Sequence, residues 1–304
     1  MKNAYLAICY ICNEHCSFCP CSKEEKENRM ITPFFEVQNT IDSFVQNNIS
    51  DITISGGEPT LHPDFIEIIK YAFRKKLRVT VLTNSERFSS NEFVKELSKN
   101  VDISRLRIIT TIHSEISTEH EKANSTFGSF ERTINGLKNM ISFGAKVIIK
   151  HCITKENYQQ LLDFYKFIDE IFPECIDVQL CSIDYCGMPQ NILPDKMLTF
   201  SMLKPHLEKL FDYHIEKKDS KRNLYCINMP LCSCDPYYWK YISRRRKQMY
   251  NAYKDPHSNE SKISKNIVGI DETICKKCRV ISICCGTYNT AFEYFGSNIV
   301  KPYL

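Results

Sequence analysis

The stretch Cys12-Asn13-Glu14-His15-Cys16-Ser17-Phe18-Cys19 places three cysteines in one short segment with the spacing C-x3-C-x2-C. Three thiols are one too few to close a tetrahedral metal site or to ligate every iron of a cubane cluster. A [4Fe–4S] cluster held by Cys12, Cys16 and Cys19 would keep one iron open to an outside ligand. The spacing therefore favours a reactive iron–sulfur site. The alternative is a set of unrelated buried thiols, because free cysteine is commonly buried.

Around this stretch, the hydrophobic pattern alternates between strands and helices. The pattern predicts helices that begin at Thr32-Pro33 and cover residues 63–76, 91–98, 129–143 and 157–171. Gly144 is expected to end the helix before it. Strands are predicted at residues 4–9, 51–55, 78–82, 106–112, 146–152 and 176–181. Six such alternations predict an α/β protein with a parallel sheet covered by helices.

Polar motifs follow the predicted strands at the point where each strand ends. Parallel sheets and barrels bind ligands at this edge, so we expect these residues to line a ligand site. In chain order they are the cysteine segment, Gly56-Gly57-Glu58-Pro59, Thr83-Asn84 and Thr111-Ile112-His113, and Lys150 lies at the end of the fifth strand.

The cysteine segment with Phe18, followed by Ser55-Gly56-Gly57-Glu58-Pro59-Thr60, resembles the radical S-adenosylmethionine (radical SAM) superfamily over about two thirds of the chain. The resemblance implies a partial (β/α)6 TIM-like barrel and a [4Fe–4S] cluster whose open iron binds S-adenosylmethionine. Reductive cleavage would give a 5′-deoxyadenosyl radical that abstracts hydrogen from a substrate. It also implies an electron donor such as flavodoxin or ferredoxin.

The same resemblance suggests contacts to S-adenosylmethionine. Gly56, Gly57, Glu58 and Pro59 would meet the methionine end, and Phe18 the adenine. Thr83 and Asn84 would line the site, Thr111 and His113 would lie near the ribose, and Lys150 would reach the carboxylate. His113 departs from the Ser-Leu-Asp that many members carry. The structural alternatives are a plain turn for the glycines and core packing for Phe18 and His113.

A second group of cysteines lies near the C-terminus. Cys232, Cys275, Cys278 and Cys284 offer four thiols, which close a site, and resemble the auxiliary-cluster extensions called twitch and SPASM domains. The full seven-cysteine pattern is missing, since position 288 is Tyr288. We therefore expect one auxiliary [4Fe–4S] cluster. Structural zinc is the alternative, because such four-cysteine sites look alike in sequence. Cys226, Cys234 or Cys285 could replace a chosen ligand.

Length and composition fit one large and one small domain. The chain has 304 residues, 43% hydrophobic and 25% charged, with a net charge of +4. We expect a core barrel at residues 1–190 and a small α+β cluster domain at 191–304, joined by a loop at 183–194. The second part is predicted to contain a helix at 194–218, a strand at 223–227, a helix at 239–253, a surface loop at 254–266 and an aromatic hairpin-like tail.

The sequence also indicates in which cellular compartment we expect the protein. No apolar run approaches the ~20 residues of a membrane helix, and the N-terminus lacks a signal-peptide layout, so we expect a cytoplasmic protein with no membrane contact. In a reducing compartment, sixteen cysteines are better explained as metal ligands than as disulfides.

These observations predict an enzyme of the oxidoreductase or maturase type that modifies a peptide or protein. A small molecule or RNA is the alternative substrate, and a non-catalytic iron–sulfur carrier or sensor is the remote one. The first strand starts almost at Met1, which leaves no room before it for a peptide-recognition domain, so a separate protein would recognise the peptide. The basic run Arg244-Arg245-Arg246-Lys247 could grip phosphate or an acidic peptide, but such runs are usually solvated and no RNA-binding signature accompanies it.

Overall fold

A computed structural model describes residues 2–19, 30–186, 193–217, 220–244, 249–254, 261–262 and 268–304. Its strands are β1 (Lys2–Cys9), β2 (Ile49–Gly56), β3 (Arg78–Leu82), β4 (Leu106–Thr111), β5 (Lys146–Ile153), β6 (Asp177–Ser182), β7 (Leu224–Ile227), β8 (Met249–Lys254), β9 (Ser261–Lys262), β10 (Val268–Gly269) and β11 (Thr287–Tyr288). Strands β1 to β7 run parallel in one sheet with helices between them. This α/β fold confirms the expected partial barrel.

The α-helices are α1 (Phe34–Gln46), α2 (Phe65–Arg74), α3 (Asn91–Asn100), α4 (Ser117–Asn124), α5 (Ser129–Ser142), α6 (Leu161–Ile171), α7 (Leu193–Lys196), α8 (Phe200–Glu216), α9 (Glu272–Cys275) and α10 (Asn289–Phe295). Helix α5 ends as the sequence predicts. Gly144 follows its last turn with a φ of +87°, and its N–H donates to the carbonyl of Ile141.

The described residues form two compact units. The first comprises Met1–Thr111, His120–Ile148 and Gln248–Lys265, and the second comprises Ile112–Glu119, Ile149–Lys247 and Asn266–Leu304. Strand β5 contributes residues to both units.

In the first unit, β1 pairs in parallel with β2 on one side and with β8 on the other, and β2, β3 and β4 follow in order. Ile8, Ile54 and Val81 are fully buried, as expected for parallel strands covered on both faces. Strands β1 and β2 end side by side, with Cys9 opposite Gly56.

In the second unit, β7 pairs in parallel with β6, from Val178 opposite Leu224 to Cys181 opposite Ile227. The strand predicted at 223–227 therefore extends the main sheet. Arg222, just before β7, is buried and bonds Asp169 and the carbonyls of Ile176 and Phe172, which anchors the end of α6.

Several sequence expectations were wrong. The helix expected at 239–253 is a short 3₁₀ helix, Pro236–Tyr241, followed by strand β8, because Asp235 caps a tight turn that starts with Pro236. The helix expected at 194–218 is broken into α7 and α8, since Thr199 caps a new start. The aromatic tail is helix α10, and α4 was not predicted.

Helix α1 begins after Pro33 without a side-chain cap, so Thr32 is not its N-cap residue. Residues 187–192 of the expected boundary loop, Arg245–Lys247 of the basic run, and 255–260 and 263–266 of the expected surface loop lie outside the described residues. Within the described part of the chain, none of the helices has the length and apolar character needed to cross a bilayer.

Candidate functional site

Two glycines bring the loop after β2 against the start of the cysteine loop. The N–H of Gly57 donates to the carbonyl of Cys9, and the N–H of Glu58 donates to the carbonyl of Ile11, each at 2.7 Å. A Cβ at Gly56 would lie 2.0 Å from the Cys9 oxygen, and one at Gly57 would lie 2.2 Å from the Ile11 oxygen. Only glycine therefore fits at both positions, and the close approach it allows is to the protein's own backbone.

Glu58 is buried and joins the loops that follow β2 and β3. Its Oε1 accepts bonds from the Thr60 N–H (3.0 Å), the Thr60 hydroxyl (2.6 Å) and the Thr83 hydroxyl (2.7 Å), and its Oε2 accepts one from the Asn84 N–H (2.7 Å). Burial raises the pKa of Glu58, and the bonds from Thr60, Asn84 and Thr83 act against that rise. Glu58 thus fixes the turn that follows β2.

Asn84 connects this arrangement to the cysteine loop. Its side-chain N–H donates to Asn13 Oδ1 at 2.9 Å, and the Asn13 amide donates to Glu86 Oε1 at 2.7 Å. Arg132, on α5, pairs with the other oxygen of Glu86. Sequence reasoning missed Asn13, Glu86 and Arg132; the only signal was that Asn13 lies between two of the cysteines and Glu86 follows Thr83-Asn84 closely.

The C-terminal end of helix α4 holds the cysteine loop from another direction. The N–H groups of His15 and Ser17 donate to the carbonyls of Asn124 (2.8 Å) and Ala123 (3.0 Å). The buried Asn124 side chain donates to Glu14 Oε1 at 2.9 Å. These contacts are tertiary, between residues more than a hundred positions apart, and no local pattern in the sequence points to them.

The three thiols of the loop lie within electrostatic range of one another. Burial raises the pKa of Cys12 to about 12, and the Cys19 thiol adds to that rise. Burial also raises the pKa of Cys16, with further contributions from Glu14, Cys19 and Cys12. Neutral thiols would therefore fill the loop without metal, and ligation would release their protons. Three neighbouring sulfur donors in a loop held by backbone bonds to Ala123 and Asn124 fit a cluster with three protein ligands.

A carboxyl group lies among these thiols. Glu14 is buried, and its Oε2 accepts a bond from the Cys16 thiol at 3.4 Å. Burial, followed by the negative charge of Glu86, raises the pKa of Glu14 to about 8.

The remaining residues that the sequence singled out for S-adenosylmethionine lie in both units. In the first, Phe18 is half-buried, Pro59 opens a 3₁₀ turn and Thr111 ends β4. In the second, the buried His113 accepts a bond from Asn157 at its carbonyl, and the carbonyl of Lys150 accepts one from the Ile112 N–H. Their roles toward a ligand stay predictions.

In the second unit, Cys232, Cys275, Cys278 and Cys284 line a single cavity. Apolar residues complete the wall, among them Pro230, Ile270, Val280, Phe292 and Val300. Burial raises the pKa of Cys232 to about 12, with smaller contributions from the other three thiols. The N–H groups of Leu231 and Gly286 donate to the Cys284 sulfur at 3.4 Å each. Four sulfurs around one apolar cavity fit a cluster or a zinc ion.

The three other cysteines considered for this site do not line the cavity. The Cys285 thiol donates to the carbonyl of Met229 at 3.1 Å, so its sulfur points to backbone. Cys226 and Cys234 are fully buried, and burial raises the pKa of both. The geometry therefore favours the set with Cys284.

A family model described as the Radical SAM superfamily matches residues 6–168, more than half of the chain, so the chain belongs to this superfamily. It is an enzyme of the class that uses a [4Fe–4S] cluster and S-adenosylmethionine. When bound, the cluster supplies the electron for reductive cleavage, which needs the low potentials that thiolate-bound clusters reach, down to about −700 mV.

Among curated relatives, a probable GTP 3′,8-cyclase of Saccharolobus islandicus is 25% identical over 173 residues, 56% of this chain and 52% of the relative. The mycofactocin maturase MftC of Mycobacterium ulcerans is 27% identical over 163 residues, 53% of this chain and 42% of that protein. The chain thus spans about half the length of the curated relatives it matches.

Among solved structures, Streptococcus suis SuiB bound to the precursor peptide SuiA matches with a TM-score of 0.67 at 16% identity, over 99% of this chain and 74% of that one. At this identity the likeness shows the fold.

Proposed function

We propose that this radical SAM enzyme modifies a peptide or protein after its synthesis. The observation that carries the proposal is the likeness to SuiB in its complex with a precursor peptide, because that likeness extends over 99% of this chain. Similarity to a maturase over 163 residues supports it further.

The proposal includes a role for each group of residues. Cys12, Cys16 and Cys19 hold the catalytic cluster, and the loops tied together by Glu58 shape the site around it. Cys232, Cys275, Cys278 and Cys284 hold an auxiliary [4Fe–4S] cluster. The division into a core at 1–190 and a cluster-binding part at 191–304 belongs to the same proposal. An electron donor such as flavodoxin or ferredoxin and a separate peptide-recognition protein would be its partners.

A small-molecule substrate is the second candidate. It is favoured by the similarity to a probable GTP 3′,8-cyclase over 56% of this chain.

The test is 5′-deoxyadenosine formation by anaerobically reconstituted protein supplied with S-adenosylmethionine and dithionite. We expect product from the wild type and none from the variant with Cys12, Cys16 and Cys19 replaced by alanine. Absence of product from wild-type protein with an intact reduced cluster, with and without added substrates, would contradict the proposal.

Substrate class is tested in the same assay. A pool of unstructured peptides of varied sequence and, separately, nucleoside triphosphates are added, and the rate of 5′-deoxyadenosine formation is compared. Stimulation by the peptides and a mass change in one of them would support the proposal. Stimulation by a nucleotide alone would favour the second candidate.

A further inference from the structure

Asn13 is the residue at which two independent sets of contacts meet in the cysteine loop. Its side-chain oxygen accepts from Asn84 and its amide donates to Glu86. Its backbone carbonyl accepts a bond from the hydroxyl of Thr126 at 3.4 Å. Both ends of the side chain and the carbonyl are therefore engaged, which fixes the orientation of the segment directly after Cys12.

Glu86 is well placed to control Asn13. It is 5% exposed, and its two oxygens are used by two donors, Asn13 on one side and Arg132 on the other. The Glu86 N–H also donates to Asn84 Oδ1 at 3.1 Å, so Glu86 orients the Asn84 amide that binds Asn13. A buried carboxylate with both oxygens occupied holds its partners more firmly than an exposed one, because leaving any of them unpaired is costly.

We infer that Glu86 is a positioning residue that, braced by Arg132, sets the cysteine loop in its ligand-binding conformation through Asn13 before any cluster is present. The inference rests on the proposed role of Cys12, Cys16 and Cys19 as cluster ligands. Glu86 acts on the loop through its bond with Asn13 and, by its negative charge, on Glu14, and the geometry assigns it no contact with the cluster.

Hydrogen bonds on either side of Cys16 support the same inference. The N–H groups of His15 and Ser17 are bonded to the backbone of residues 123 and 124, so the residues on either side of Cys16 are held as well. With Asn13, His15 and Ser17 all fixed, the spacer between the cysteines has little freedom left. Such a preorganised loop pays its ordering cost during folding, which leaves more of the ligation energy for binding.

A purely structural role would differ in a measurable way. If Glu86 only anchored the first turns of α5 through Arg132, its loss would lower the stability of the whole unit. The cysteine loop of the folded protein would then keep its protection, and the loaded cluster would bind S-adenosylmethionine as before. A positioning role instead predicts faster amide exchange in the cysteine loop alone, with the free energy of unfolding of the rest of the unit unchanged.

The test compares Glu86→Gln, Asn13→Ala and Arg132→Lys with Asp51→Asn as the matched control. Glutamine has the shape of glutamate but turns an NH₂ toward one of the two donors. Arg132→Lys keeps the charge opposite Glu86. Asp51 forms an ion pair with Arg78, at 2.5 Å, and neither residue is bonded to the cysteine loop by any described hydrogen bond.

Two readouts are used besides activity. Amide hydrogen exchange of the segment 13–19 is measured in metal-free protein, and the Kd for S-adenosylmethionine is measured in cluster-loaded protein, per loaded cluster, together with the electron paramagnetic resonance signal. We expect exchange about tenfold faster in Glu86→Gln and Asn13→Ala, as for an unpaired buried polar group, with weaker S-adenosylmethionine binding and an altered signal. Arg132→Lys and Asp51→Asn should remain close to wild type.

A Glu86→Gln protein whose loop exchanges at the wild-type rate and which binds S-adenosylmethionine as tightly as wild type would overturn the inference. Wild-type metal-free protein with an unprotected loop would also overturn it. The proposed function would survive either result as long as the wild type forms 5′-deoxyadenosine, so the two failures are distinguishable.

Discussion

The hydroxyl of Thr83 donates a hydrogen bond of 2.7 Å to the buried carboxylate of Glu58, and this bond links the end of β3 to the loop after β2. The Gly56-Gly57-Glu58-Pro59 and Thr83-Asn84 motifs, which are separate in sequence, are thereby joined by a hydrogen bond. The Asn84 N–H donates to the other oxygen of the same carboxylate, which places the Asn84 side chain where it reaches the cysteine loop. Four of the residues predicted to surround S-adenosylmethionine, namely Gly57, Glu58, Thr83 and Asn84, therefore share one hydrogen-bonded frame.

Replacing Glu58 with glutamine should destabilise this frame. Four donors point at the carboxylate, and a glutamine NH₂ would face at least one of them, at a cost of about 1–3 kcal/mol in the free energy of unfolding. Urea unfolding of metal-free protein measures the effect. Glu92→Gln, a change at an exposed carboxylate near the start of α3, is the control and should cost far less. If the two variants had the same urea midpoint, the hydrogen bonds to Glu58 would not stabilise the protein as expected.

Simultaneous replacement of Cys12, Cys16 and Cys19 by alanine should abolish S-adenosylmethionine cleavage while leaving the metal of the second unit in place. The two groups of cysteines belong to different compact units, so removing one should not empty the other. Iron, sulfide and zinc analysis checks this. Remaining iron with sulfide indicates an auxiliary cluster, and remaining zinc indicates a structural zinc site. Iron content equal to that of the wild type would disprove the assignment of the first group.

Neighbouring cysteines offer a matched pair in the second unit. Cys284→Ser should lose the metal of the four-cysteine cavity, because the Cys284 sulfur lines that cavity and accepts two backbone N–H groups. Cys285→Ser should retain it, because the Cys285 thiol already donates to the Met229 carbonyl and a serine hydroxyl can do the same. The metal content of both variants is measured in protein that also carries alanine at positions 12, 16 and 19, so that only the second site contributes metal. The reverse result would move the ligand to Cys285.

Gly286→Ala should also empty this cavity. Gly286 has a φ of +77°, and an added Cβ would fall 1.6 Å from the carbonyl oxygen of Gly269, across the pairing of β10 with β11. The backbone must move, and the N–H bond to Cys284 moves with it. Gly296→Ala is the control, since Gly296 also has a positive φ but no atom within 4 Å of the added Cβ. It should lose about 1–3 kcal/mol of stability, because its ψ of −136° at this positive φ is rarely adopted by L-residues, and it should keep its metal. If both variants kept full metal, the close contact at Gly286 would be unimportant.

Because His151 is buried, we expect the free energy of unfolding to depend on pH. Burial lowers its pKa to about 4, while an unfolded histidine titrates near 6.5. Between these values the unfolded chain binds more protons, so stability should rise with pH and be lost as pH falls from about 6.5 toward 4. Urea midpoints of metal-free protein across this range should fall less steeply for His151→Asn, whose amide can replace the Nδ1 bond to the Ile112 carbonyl. Parallel curves for the two proteins would contradict the assignment.

The sequence alone determined the class of fold and the chemistry of the first cysteine group. The alternation of apolar segments is a local property, and it located strands β1 to β7 within a few residues. The spacing of Cys12, Cys16 and Cys19 is likewise readable without contacts. Prediction failed where local signals competed. The apolar and aromatic pattern at 239–253 suggests a helix, but Asp235 and Pro236 start a tight turn instead.

Tertiary structure decided which residues share a site. Asn13, Glu86 and Arg132 are unremarkable in sequence, and only the parallel order of β1, β2 and β3 and the return of α5 bring them together. The choice of Cys284 over Cys285 also needed the structure, because adjacent side chains on an irregular segment point in different directions that spacing cannot reveal. Hydrogen bonds over long sequence separations depend on the packed core, so they are fixed only when the whole chain has folded.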